Sequence, residues 1–189
     1  MTQIELQPTE KRGRAPRAVL CKGSELLEFT LVLLPLLAML LVTIDTAWSI
    51  FAKSTLQRAV RIGVRNGITI TRAQSPTGTC LTSQVKTIVQ QNAMGLLQGS
   101  SGLSKIKVNY FQPPPANSSA AATDVSTQTN GNAPGNIMQV SVRNFSLLAL
   151  VPRIFSWKQS ADLSPLVFSV YSADLIEPSR DPPCIGTAP

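Results

Sequence analysis

The chain has 189 residues, a formal net charge of +7 from 17 Lys and Arg against 10 Asp and Glu, and no histidine. That absence removes Ser-His-Asp and Cys-His nucleophilic catalysis and His-ligated metal sites together. The three cysteines, Cys21, Cys80 and Cys184, are too scattered for a zinc knuckle, and the length allows one domain beside a membrane anchor.

A basic balance can mark nucleic-acid binding. Here aromatic residues make up only 5% of the chain, and the basic leader abuts a long apolar run. No nucleic-acid partner is expected.

Residues 1–23 carry Lys11, Arg12, Arg14, Arg17 and Lys22 against Glu5 and Glu10, a net +3, and the remainder has 12 Lys and Arg against 8 Asp and Glu. The leader ends in Gly23, followed by Ser24, Glu25, Leu26, Leu27, Glu28 and Phe29, and then the apolar run. A secretory signal peptide has the reverse order, with its apolar core on the discarded side. The expected product is a precursor cut between Gly23 and Ser24 that loses a cytoplasmic leader and keeps its apolar helix.

Residues 29–44 contain no charge, Asp45 interrupts, and TAWSIFA continues to Lys53. At ~1.5 Å per residue the stretch 29–52 is about 36 Å long, against roughly 30 Å of bilayer hydrocarbon. Residues 24–52 are therefore expected to form one transmembrane helix. Residues 31–42 show no polar face, which a soluble helix would need. The basic leader favours a cytoplasmic N-terminus and an outer C-terminal domain. Arg58, Arg61, Arg65 and Arg72 lie on the other side of the span and weaken that rule, but the leader precedes the only span.

Pro35, inside the span, is either a passive kink or a local break covered by neighbouring helices. Glu28 is either an interfacial acid near a helix N-terminus or, after a cut at Gly23, the partner of a neighbouring subunit's freed amine. On residues 23–29 and the Leu33-Leu34-Pro35-Leu36-Leu37 core, the chain resembles the type IV prepilin class. Within that class it resembles the TadE-like family of the tight-adherence (Flp) pilus system. Gly23 followed by four residues and Glu28, Phe29 next, Asp45 late in the span and the arginine-rich 57–65 stretch carry the likeness. It covers about residues 20–70, and the TadE and TadF branches share these features.

The resemblance implies a minor pseudopilin of the bacterial inner membrane. Its implied partners are a prepilin peptidase, other pilins and pseudopilins, an inner-membrane pilus assembly platform and the lipid bilayer. No cofactor or metal is implied, and no catalytic activity. Gly23 and Ser24 are then the processing site, and Glu28, Phe29, Pro35 and Asp45 serve helix packing and assembly.

Beyond the span, Leu56, Ala59, Val60, Gly63, Val64, Gly67 and Ile68 recur at spacings of three and four and form one apolar helix stripe. Arg58, Arg61, Arg65 and Arg72 fall on the opposite face. Residues 53–75 are expected to be an amphipathic stalk continuing the membrane helix. Its basic stripe is either a solvated face or a contact for anionic headgroups or an acidic subunit. Gly63 and Gly67 are expected to let a partner backbone come close.

Residues 76–189 are expected to form a periplasmic α+β domain with a helix and a three- to four-stranded antiparallel sheet. The pattern predicts a helix over 79–98, terminated by the glycines at 99–102. Strands are predicted where Ile106, Val108 and Tyr110, then Met138, Val140 and Val142, then Leu166, Phe168 and Val170 alternate with polar or outward positions. Residues 147–151 are a short apolar run limited by Pro152. Residues 112–136, rich in Pro, Ser, Thr, Asn and Ala, are expected to be a mobile loop, either an adhesive tip or an inert insertion.

With the N-terminus inside, Cys21 leaves with the leader, and Cys80 and Cys184 share the oxidising side. They form either one disulfide or two free thiols. Three functions remain open. One is a non-catalytic minor pseudopilin-like protein in tight-adherence pilus assembly. Another is a single-pass anchor for an envelope binding or scaffold module unrelated to pili. The third is a tethered hydrolase using Ser160 or Ser164 with Lys158, or Asp162 with Asp174; nothing in the sequence brings those groups together.

Overall fold

The computed structural model describes residues 24–147, 165–177 and 181–186. The chain divides into two units, Met1–Met39 and Leu40–Pro189. The described part of the first is helical throughout and belongs to α1, Ser24–Thr69. The second unit holds the rest of α1, a 3-10 turn at Arg72–Gln74, α2 (Leu81–Asn92), α3 (Gly99–Lys105), and β1 (Ile106–Gln112), β2 (Thr123–Asp124), β3 (Ile137–Leu147) and β4 (Leu166–Leu175). This is an α+β architecture.

The sheet is antiparallel with order β2-β1-β3-β4. Its period-two pattern puts Ile106 opposite Val142, Val108 opposite Val140 and Tyr110 opposite Met138. All six side chains are fully buried, because alternate residues of a strand share one face. This face and the apolar side of α2 (Leu81, Val85, Val89) make one core with the outer half of α1.

The strand that the sequence breaks after Val142 continues to Leu147. A bulge explains why. Arg143 and Asn144 on β3 stand against Ser169 alone on β4, with Asn144 at φ 54°. One extra residue shifts the inward positions from even to odd numbers, so Phe145 and Leu147 follow Val142 into the core. Phe145 meets Phe168 of β4 at 5.3 Å between ring centroids, and the Lys105 Nζ lies over the Phe145 ring. Residues 148–151 lie outside the described residues.

The single predicted helix over 79–98 is divided. α2 stops at Asn92, and Met94 and Gly95 take left-handed φ values of 49° and 82°. The glycines at 99–102 do not end a helix but sit within α3. Gly102 is buried where a Cβ would lie 2.3 Å from the Leu97 carbonyl carbon, so close backbone packing sets this residue.

The segment expected to be a mobile loop is anchored at its centre. Val125 and Ser126 are buried beside β1. The Ser126 Oγ accepts from the Tyr110 amide at 2.8 Å, and the Val125 amide donates to the Tyr110 carbonyl at 2.9 Å. A hydroxyl thus supplies an edge bond that the two-residue β2 is too short to make. Asn132, also buried, donates from Nδ2 to the Pro183 carbonyl at 2.6 Å.

Cys80 and Cys184 are disulfide-bonded, 104 residues apart in sequence. The residues around Cys184 run as a strap across the start of α2. The Leu81 and Thr82 amides donate to the Cys184 and Ile185 carbonyls at 2.7 and 2.9 Å. A helix start leaves its first amides without intrahelical acceptors, and the strap supplies two.

Candidate functional site

The candidate site is α1, taken in chain order. Among the described residues it is the one helix long and apolar enough to cross a membrane, and none of its most apolar stretch is buried within the chain. Leu31 and Met39 are each 76% exposed. The hydroxyls in and around the apolar stretch satisfy themselves locally. Thr30 donates to the Leu27 carbonyl, Thr46 to Val42 and Ser49 to Asp45, at 2.8–3.0 Å. Such back-bonding removes the cost of carrying polar groups into hydrocarbon.

Gly23 lies outside the described residues, and Ser24 is the first described residue of the helix. Glu28 and Phe29 are exposed in the opening turns, and Asp45 is half-buried. Pro35 is accommodated without ending the helix. It has no amide to offer the Leu31 carbonyl. Of the described ones, Ser24, Glu28, Phe29, Pro35 and Asp45 all belong to the single helix α1.

From Ala52 onward the helix changes character. Ala52, Leu56, Val60, Val64 and Ile68 form one buried row, and Thr55, Ala59, Gly63 and Gly67 the next. These are the i±4 ridges of helix packing. Arg58, Arg61 and Arg65 are exposed on the other side. Arg72 does not extend that stripe. The helix ends at Thr69, and Arg72 sits in the following 3-10 turn, where it pairs with Asp181 at 3.8 Å.

Gly63 and Gly67 are turned inward, contrary to the expected contact with a partner chain. A Cβ on Gly63 would lie 2.4 Å from the Val89 Cγ2, and one on Gly67 would lie 2.7 Å from the Met138 Sδ and 2.9 Å from the Val85 Cγ2. The small residues let α2 and β3 of the same chain approach.

Residues 23–65 match the TadE-like protein family. Over these residues the chain is similar to TadE-like proteins. The TadE-like segment covers the apolar helix and the first part of its packed continuation, and the sheet lies outside it. No curated protein and no solved structure matches the chain.

Beyond the TadE-like segment, two charged groups among the described residues have displaced pKa values. Burial, and then the nearby Lys107 charge, hold Lys86 of α2 below the usual lysine range. Two hydrogen bonds from Ser126, by its hydroxyl and its amide, hold Asp124 below the usual carboxylate range. Of the groups considered for hydrolysis, Lys158, Ser160, Asp162 and Ser164 lie outside the described residues. Asp174 is exposed on β4, where its carboxylate accepts from the Leu175 amide.

One feature of the site had no periodic signal in the sequence. Trp48 and Phe51 stack at 5.6 Å near the end of the apolar stretch. Above them a cleft of about 510 Å³ is lined by Phe51, Ser54, Thr55, Arg58, Gln91, Asn92 and Met94. Met94 belongs to a turn, where apolar spacing carries no information.

Proposed function

We propose that the protein is a non-catalytic, minor pseudopilin-like subunit that takes part in assembling a tight-adherence pilus. The observation that carries this reading is that the TadE-like match, residues 23–65, covers a helix whose most apolar stretch is unburied within the chain. A cut between Gly23 and Ser24 places a free amine four residues before Glu28 at the start of an apolar rod.

In this reading a prepilin peptidase removes residues 1–23 at the cytoplasmic face of the bacterial inner membrane. The apolar half of α1 then packs with the helices of other pilins and pseudopilins on the assembly platform. The sheet domain stands in the periplasm, closed by its disulfide, and offers the exposed arginines of α1 to headgroups or neighbouring subunits.

N-terminal sequencing of the membrane-bound protein from cells with and without the peptidase tests the proposal. Ser24 is expected as the first residue only when the peptidase is present. Recovery of an intact N-terminus from peptidase-competent cells would sink it and favour a plain single-pass anchor.

A further inference from the structure

We propose that the turn between α2 and α3 docks on the lipid bilayer, with Met94 inserted into the leaflet beside the point where α1 leaves it. This rests on the reading of α1 as a membrane helix.

The first observation is direction. Gly63 faces Val89 and Gly67 faces Val85, so residue numbers fall along α2 as they rise along α1. The two helices are antiparallel, and the C-terminal end of α2 points back toward Phe51. The cleft lining agrees, since Gln91, Asn92 and Met94 meet Phe51, Ser54, Thr55 and Arg58.

The second observation is level. Lys53 is the first Lys or Arg after the apolar run, so the hydrocarbon boundary falls near Phe51. From there to Arg58 the helix rises about 10 Å, comparable to the headgroup layer that thickens a bilayer from ~30 to ~40–45 Å. The turn therefore lies at headgroup depth.

The third observation is chemistry. Met94 is 72% exposed although neighbouring Ala93 and Leu97 are buried. A left-handed backbone at Met94, unusual outside glycine, points a large apolar side chain away from its own core. Trp48 and Phe51, 44% and 42% exposed, supply aromatic rings of the kind enriched at membrane interfaces. The cleft carries the Arg58 cation and no carboxylate, which suits lipid phosphate.

The four methionines permit a direct test. The full chain is labelled with carbon-13 at the methionine methyls and placed, one copy each, in nanodiscs of phosphatidylethanolamine and phosphatidylglycerol. Lipids with nitroxide headgroups are then compared with a soluble gadolinium chelate. The Met94 signal, identified by its disappearance in Met94→Leu, should be lost with the labelled lipid and survive the chelate. A reporter made by Thr77→Met, on the exposed turn before α2, should behave in the opposite way.

A Met94 signal lost to the chelate and untouched by the lipid overturns the proposal. Protection from both agents also overturns it, because protein rather than lipid would then cover the turn. Met39, within the apolar run, reports separately through acyl-chain nitroxides. Its failure to respond would count against the membrane reading itself.

Discussion

Gly63 of α1 and Val89 of α2 meet so closely that a single methyl on the glycine would lie 2.4 Å from the valine Cγ2. This contact sets how the continuation of the apolar helix is fastened to the sheet domain. It also turns the small-residue stripe away from other chains.

Gly63→Ala should therefore destabilise the domain despite the better helix propensity of alanine. Overpacking costs about 1–3 kcal/mol, whereas the propensity gain is about 1 kcal/mol. A net loss on the order of 1 kcal/mol is expected in urea unfolding. Val89→Ala in the same chain makes room for the methyl, so the double variant should be more stable than the two single losses predict. Strict additivity would refute the contact as the cause.

The disulfide fixes the strap to α2. Replacing Cys80 and Cys184 with Ala should cost up to about 4.7 kcal/mol on the chain-entropy account for a loop near 100 residues. The loss should be local first. Amide exchange at Leu81 and Thr82, which donate to the Cys184 and Ile185 carbonyls, should accelerate before exchange at β1 and β3. Uniform acceleration across the domain would contradict this order.

The Asp124–Ser126 pair gives the β2 anchor a dependence on acid. Because folding lowers the Asp124 pKa, its contribution is present above the ordinary aspartate value of ~3.9. It is lost as pH falls through the lower folded value. The Ser126 amide shift should titrate below that ordinary value, and Asp124→Asn should abolish the titration. A Ser126 titration at or above the ordinary value would count against the hydrogen bonds as the cause.

The proposed function makes Glu28 a packing residue and not a recognition residue for the peptidase. Glu28→Ala should be processed to Ser24 as usual, while filaments disappear in electron micrographs. Normal piliation by this variant would remove the assembly role of Glu28, and unprocessed protein would move that role to the peptidase.

Much of this protein was legible along the chain. The apolar helix, the Gly23–Glu28 spacing and the strands β1 and β4 follow from local signals, because burial imposes a period of two on a strand and lipid tolerates no polar face on a helix. The α+β class followed from the order of those signals. Tertiary structure alone decided the rest. Gly63 and Gly67 read as a docking surface until α2 and β3 occupied it. Residues 112–136 read as free loop, yet one hydroxyl on Ser126 and one amide on Asn132 tie them down. β3 runs past Val142 because a bulge changes which side faces inward, and Met94 gains significance from an antiparallel helix pair. Each of these depends on partners 16 or more residues away along the chain, and sequence periodicity records only that a side chain is buried, not what buries it.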